Sequence, residues 1–320
     1  MLFSFDETSD MISSGKFLHI SGTENLLKKL PRGNWIGGST EYFMTDSGGI
    51  VTNDLLYVLE LPFDDYKIVS YDEYTIVDIL KDAFDNGFSI VILPFDSEVQ
   101  KRYAYEAPEF EGMFMKNIVG WVSGINLNEA GQTPIVVNGL TGEFSSDKAV
   151  AAHISVPEDK LVTISIVNIF SQDETSPIIE FSQEGFSVKN CLVNNKEVVF
   201  ADYIKENEID TRFPLVGDYS GVGINISYKA VENGVVSFYA PVFPGIEYRM
   251  AKPVTDYKKE FDDRLKTLSD VDTTFSCNCI LNFLYGEFEG KEIHSFFGPI
   301  TFGEVAYQLV NQTLVYVTVS

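Results

Sequence analysis

Hydrophobic residues along the chain fall mostly in short β-branched or alternating runs, and only a few stretches carry a helical period. The clearest helical stretch is residues 72–86, where Ile76, Ile79, Leu80, Ala83 and Phe84 follow the i, i+3, i+4, i+7, i+8 spacing of one apolar stripe. Ser70 and Glu73 read as a capping box, and Gly87 stands where a left-handed C-terminal cap would close the helix. The apolar run 88–95 then predicts a buried strand, and a helix feeding a core strand points to layered helix and sheet. A second helix is predicted over 256–268, with Thr255 as N-cap and Tyr257, Phe261, Leu265 and Leu268 on one face. Shorter helices are predicted over 23–30, 97–105 and 200–207. Most of the remainder is β-like, notably 162–170, 223–229, 235–239 and 313–319. Asn233-Gly234 between 224–229 and 235–239 is a strong hairpin signal. The fold class is α+β: two mixed, mainly antiparallel β-sheet lobes, 1–165 and 166–320, with a few covering helices.

Composition narrows the function classes. The 320 residues are 45% hydrophobic and 22% charged, as in a packed globular protein. The net charge of −24 repels phosphate backbones and anionic lipid, so neither nucleic acid nor a membrane surface is an expected partner. Three cysteines make no disulfide framework and fit a reducing compartment. No apolar run reaches the roughly 20 residues of a membrane span. Residues 1–10 are acidic and lack the basic start of a secretory leader, so a cytoplasmic location is expected.

The chemical constellations each leave alternatives open. Cys277 and Cys279 would share one face of a strand, which suits two small core residues and equally suits redox or metal chemistry. Either thiol as a nucleophile, with His294 as base, would make a Cys-dependent enzyme. His19 and His153 sit in apolar strand-like runs, where a hydrogen-bonded core histidine is the ordinary reading and a haem or metal ligand the other. There is no Gly-x-Ser-x-Gly elbow, no Walker A sequence and no dinucleotide fingerprint opening a helix. Glu304 stands out among carboxylates because its neighbours are apolar or glycine. Asn34-Trp35-Ile36-Gly37-Gly38-Ser39-Thr40 and Gly120-Trp121-Val122-Ser123-Gly124 hold the two tryptophans beside glycines. Such loops are tight turns pinned by a buried indole, or pocket walls that let a ligand approach backbone. A short echo links Trp35-Ile36-Gly37-Gly38-Ser39-Thr40-Glu41 with Phe297-Gly298-Pro299-Ile300-Thr301-Phe302-Gly303-Glu304.

In the C-terminal half the order of features matters more than any one of them. Phe200-Ala201-Asp202-Tyr203-Ile204 leads to Phe213-Pro214-Leu215, then to Asn233-Gly234-Val235-Val236-Ser237-Phe238 and Phe243-Pro244-Gly245-Ile246-Glu247-Tyr248-Arg249-Met250. Phe275-Ser276-Cys277-Asn278-Cys279, Phe302-Gly303-Glu304 and Asn311-Gln312-Thr313-Leu314 follow. This succession resembles the FIST domain, an intracellular signal-transduction module, over about residues 135–320 and more loosely upstream. One departure is Asn282, where the family commonly has an arginine. The resemblance implies a non-enzymatic sensor that binds a small molecule, amino acids among the proposed ligands, and passes the signal to a protein partner. Haem in some members and a purely protein-recruiting scaffold in others are further implications. The expected ligand pocket lies between the lobes, with Trp35, Gly37, Gly38, Thr40, Trp121, Cys277, Cys279, Gly303 and Glu304 as candidate contacts.

Overall fold

The computed structural model describes residues 1–129, 131–268, 271–293 and 296–320. The architecture is α+β, with 18% helix and 41% strand in several mixed sheets. Contacts divide the chain into two units. The first comprises Met1–Val167, Phe261–Leu309 and Thr313–Ser320, and the second comprises Asn168–Glu260 and Val310–Gln312. The chain thus leaves the first unit close to residue 165, but it does not stay in a second lobe to its end: most of the last sixty residues return to the first unit.

Three six-stranded sheets build the first unit. One runs β1 (Leu2–Phe3), β6 (Leu56–Glu60), β2 (Leu18–Gly22), β3 (Trp35–Ser39), β10 (Val136–Asn138), β11 (Glu143–Ser145). Another runs β26 (Gln308–Val310), β25 (Glu304–Ala306), β9 (Asn117–Ser123), β8 (Gly87–Pro94), β12 (Ala149–Ser155), β7 (Tyr66–Tyr71). The last runs β13 (Val162–Val167), β27 (Leu314–Val319), β23 (Phe275–Cys279), β24 (Gly298–Thr301), β4 (Tyr42–Thr45), β5 (Gly48–Val51). Each sheet contains a parallel pair, β2 with β3, β8 with β9, and β23 with β24, among mostly antiparallel neighbours. Each parallel pair is bridged by a helix, as a parallel crossover requires. These are α2 (Glu24–Leu27), α4 (Glu98–Glu106) and α7 (Ile280–Tyr285). Thr23 and Ser97 cap the first two, their hydroxyls accepting from the Leu26 and Gln100 amides.

The second unit holds a six-stranded and a three-stranded antiparallel sheet. The larger runs β17 (Lys196–Val199), β16 (Asn190–Val193), β14 (Ile179–Glu180), β22 (Glu247–Met250), β18 (Leu215–Tyr219), β19 (Val222–Ile226), and the smaller β15 (Gly185–Val188), β21 (Val235–Val242), β20 (Tyr228–Glu232). Its core is aromatic: Phe181 meets Phe200, Phe238 and Tyr248 edge-on, with ring centroids 5.3–6.1 Å apart. The β20–β21 hairpin turns at Asn233 and Gly234, both at positive φ (53° and 75°), as a two-residue primed turn requires. Its first strand is shorter than expected, because the run 223–229 breaks at Ser227, whose amide and hydroxyl bond Asn311 and Gln312.

The predicted helix over 72–86 is mostly absent. Ser70 lies in β7, Gly87 begins β8, and between them stand a 3-10 turn (Ile76–Asp78) and a one-turn helix, α3 (Ile79–Asp82). Asp72 folds back on itself, its carboxylate accepting from the Tyr74 and Thr75 amides and the Thr75 hydroxyl. That local turn competes with a helical start. The helix predicted over 256–268 is present as α6 (Tyr257–Lys266), with Phe261 and Leu265 buried.

Candidate functional site

In sheets with parallel strands, ligand sites favour the carboxyl ends of those strands. The carboxyl ends of β2, β3 and β9 converge here. Gly124, just past β9, donates its amide to the Ser39 carbonyl at 2.7 Å, and the Ser39 hydroxyl donates back to the Gly124 carbonyl at 2.8 Å. Thr40, just past β3, takes its amide bond to the Gly22 carbonyl at the end of β2. Its hydroxyl reaches across to the Ile300 carbonyl of β24 at 2.7 Å. A cavity of about 200 Å³ opens at this junction, lined by Thr23, Ser39, Thr40, Glu41, Asp54, Gly124, Glu129 and Gln132 among others. The lining carries four carboxylates, Glu24, Glu41, Asp54 and Glu129, and no lysine or arginine. Lys28 neutralises Glu24 from beside the cavity at 2.5 Å.

Glu41 is the most constrained of these acids, at 5% exposure. Asn126 donates its side-chain amide to one carboxylate oxygen at 2.8 Å, and Gln132 donates to the other at 3.2 Å. The same Gln132 amide also reaches Glu129 at 2.6 Å, bridging two carboxylates. Asn126 is held in turn by its own amide on the Gln132 side-chain oxygen (2.8 Å) and by the Tyr42 hydroxyl (3.3 Å). Among the described residues no cation pairs with Glu41.

Behind this junction lies a buried polar interior. Trp121 donates its indole N–H to His19 Nε2 at 2.8 Å, which fixes His19 as the neutral tautomer protonated on Nδ1. Burial pushes the His19 imidazole down to about 3. The Phe275 ring meets His19 edge-on at 5.3 Å, and Cys277 on the same face of β23 points its thiol at the Gly120 carbonyl, 3.4 Å away. Glu304 pairs with Trp121 across β25 and β9, so both side chains leave the same face. Its carboxyl accepts from the hydroxyls of Thr301 and Thr313, each at 2.8 Å, and the Cys279 side chain also bonds it. Full burial without a cation pushes Glu304 up to about 8, against the lowering effect of those hydrogen bonds. His19 Nδ1, Ser21 Oγ, Ser123 Oγ and Asn278 Nδ2 have no hydrogen-bond partner among the described residues.

The structure therefore divides the predicted contacts. Trp121, Cys277, Cys279 and Glu304 do come together, as a closed interior rather than a pocket wall. Thr40 alone lines the cavity. Trp35 lies on the opposite face of its sheet from His19, in a core with Ile12, Leu18, Ile20, Leu27 and Val58, and its indole N–H goes to the Pro31 carbonyl at 2.9 Å. Gly37 lies under the Trp35 ring and Gly38 under Trp121, where an added Cβ would come within 2.8 Å of the indole. Gly303 packs on Val122 and accepts its amide at 2.8 Å. All nine belong to the first unit. His153 is fully buried, with both ring nitrogens bonded, to the Tyr71 and Ser89 hydroxyls. His294 lies outside the described residues. Asn282 is buried and bonded to Asn278 at 2.8 Å.

Glu41, Asn126, Gln132, Asp54 and Glu129 were not singled out in the sequence. The signal for Glu41 was present in the echo, where it and Glu304 both follow the second strand of a parallel pair, β3 and β24.

The chain matches the model of a family of unknown function, DUF6976, over residues 3–320, and belongs to that family. No protein of curated function matches it, and no solved structure does. No helix among the described residues is long and apolar enough to cross a membrane.

Proposed function

Taking membership of that family as the premise, we propose that the chain is a non-enzymatic binding protein for a small amine-bearing ligand, cationic or zwitterionic, held in the cavity at the ends of β2, β3 and β9. One observation carries this reading: the Glu41 carboxylate is almost fully buried and oriented by two amides, yet has no cationic partner among the described residues. A buried carboxylate is costly unless paired, and an incoming ammonium would supply the missing charge. Asp54 and Glu129 add to the attraction, while the Thr23 hydroxyl, which accepts from the Leu26 amide, can give its proton to a carboxylate or hydroxyl on the same ligand. The FIST resemblance supports an amino acid as the ligand class and a sensory role through a protein partner. The acidic surface and odd cysteine count support a cytoplasmic setting. A Cys-dependent enzyme is the weaker reading, since burial raises Cys277 well above the ordinary thiol value and a working nucleophile needs the reverse.

Thermal-shift and calorimetric titration with the amino acids and short diamines tests the proposal. A ligand at a hundred times its Kd stabilises the fold by about 2.7 kcal/mol, and Glu41→Gln is expected to abolish that shift while leaving the unliganded midpoint close to its original value. No shift with any amine, or an undiminished one in Glu41→Gln, would overturn it.

A further inference from the structure

The cavity at the ends of β2, β3 and β9 sorts its carboxylates by depth. Glu41 is buried, whereas Asp54 and Glu129 are exposed and stand at the mouth. They arrive from different loops. Glu129 follows β9 and shares the Gln132 side-chain amide with Glu41, at 2.6 and 3.2 Å. Asp54 follows β5, on a turn whose Thr52 amide donates to the Glu41 carbonyl at 2.9 Å and whose Thr52 hydroxyl accepts from the Asp54 amide at 3.3 Å. Among the described residues no three His, Cys, Asp or Glu side chains are grouped so as to hold one metal ion. The acids are not gathered round a single point, so one compact cation does not serve them all.

The rest of the lining tells against a negative charge on the ligand. It holds no lysine or arginine, and Lys28 beside it is engaged by Glu24 at 2.5 Å. The Ser39 and Thr40 hydroxyls already donate to the Gly124 and Ile300 carbonyls. Other side-chain donors, Thr23, Asn25, Asn53 and Thr133, are neutral. A ligand carboxylate would therefore meet hydrogen bonds but no opposite charge, with three unneutralised carboxylates around it. Leu26 and Ile125 supply apolar contact suited to methylene groups. At about 200 Å³ the space is smaller than the roughly 300–1,000 Å³ of drug-sized sites, so the occupant is short.

We propose that this occupant is a short, unbranched aliphatic diamine, with one ammonium on Glu41 and the other on Asp54 and Glu129 at the mouth. The assignment rests on the amine site proposed above and narrows it from any amine-bearing ligand to a two-headed cation. An amino acid would bring its carboxylate to the same acidic surroundings, and a monoamine would leave the mouth unpaired.

Calorimetric titration of the full chain at neutral pH and physiological salt provides the test, using three- to five-carbon diamines, the monoamines of the same length and the matching ω-amino acids. The best diamine is expected to bind about five- to tenfold more tightly than its monoamine, and the ω-amino acid more weakly than either. The double variant Asp54→Asn/Glu129→Gln, both sites exposed, should bring the diamine down to the monoamine's affinity and change the monoamine's by a factor of about two or less. Glu41→Gln should abolish both. Equal binding of diamine and monoamine, each lost in Glu41→Gln, overturns the two-headed assignment and leaves the amine site standing. A diamine preference undiminished in the double variant overturns it as well, by tracing the preference to the chain's overall charge. No binding by any of these compounds overturns the assignment and the amine site together.

Discussion

Trp35 and Trp121 share a composition context, full burial and a glycine-flanked strand, yet they serve different interiors. Trp35 fills a wholly apolar layer covered by α1 (Phe5–Ser13) and α2, and its N–H leaves that layer for the half-buried Pro31 carbonyl. Trp121 faces the space between sheets, where its N–H is spent on His19 and its cross-strand neighbour is the carboxyl of Glu304. The difference is one of strand parity. Trp35 pairs with Leu18, one residue before His19, so the period of two sends the indole and the imidazole to opposite faces. A buried tryptophan by itself therefore says nothing about a site; the polar partners of its face decide which kind of interior it closes.

Removing the whole side chain should have the largest effect and hide the contrast, since Trp35→Ala and Trp121→Ala each empty a packed core and should cost about 3–5 kcal/mol. Phenylalanine variants expose it. Both delete the same atoms, but Trp35→Phe frees an acceptor that water can reach, whereas Trp121→Phe strands the buried His19 Nε2, whose other nitrogen already lacks a partner. Trp121→Phe should lose about 1–3 kcal/mol more, read as a lower urea midpoint at unchanged slope. Equal losses would mean that the two interiors are energetically alike.

The polar interior should also give stability a pH dependence that the Trp35 layer cannot. Glu304 rises by burial from 4.5 to about 8, so between those values the folded chain holds a proton that the unfolded chain releases. Its contribution is complete below pH 4.5 and is lost as pH rises through 8. Burial lowers His19 and His153 from 6.5 to about 3 and about 4, so their contribution is complete above 6.5 and is lost as pH falls toward those values. Two histidines outweigh one carboxyl on the acid side, so stability should rise with pH up to about 6.5. Above that Glu304 pulls stability down by up to about 1.4 kcal/mol per pH unit, against an opposite pull from the Met1 α-ammonium, which burial holds below its ordinary 8.0. Glu304→Gln should flatten the alkaline limb alone; a limb of unchanged slope would assign the proton elsewhere.

How much of this was legible in the sequence follows from what each pattern measures. The run 88–95 and the helix over 256–268 were readable because local periodicity and burial agree, and Asn233-Gly234 because its turn needs positive φ at both positions. The stripe at 72–86 misled, since Asp72 found a tighter local turn and the apolar residues pack from short pieces as well as from a helix. The three parallel pairs, and with them the return of residues 261–309 to the first unit, depend on long-range pairing that no local window carries. Glu304 was visible because apolar neighbours mark a buried acid. Glu41 lies beside Thr40 and Tyr42 and looks ordinary until Asn126 and Gln132, some ninety residues away, close over it.

The smallest expected effect concerns the thiols, and it sharpens the contrast by showing that the polar interior is shut. Cys191, Cys277 and Cys279 are all buried, Cys277 and Cys279 at 2% and 1% exposure. Burial pushes Cys191 up to about 12 and Cys277 well above its ordinary value, so thiolate is scarce as well as inaccessible. Ellman's reagent should find no fast-reacting thiol in the native chain and three after denaturation. Cys277→Ser keeps a donor facing the Gly120 carbonyl and should change the urea midpoint by about 1 kcal/mol or less. A native thiol that titrated stoichiometrically would show that the face of β23 opens to solvent. Trp121, His19 and Glu304 would then border a reachable chamber, and the nucleophile reading of Cys277 and Cys279 would regain the access it now lacks.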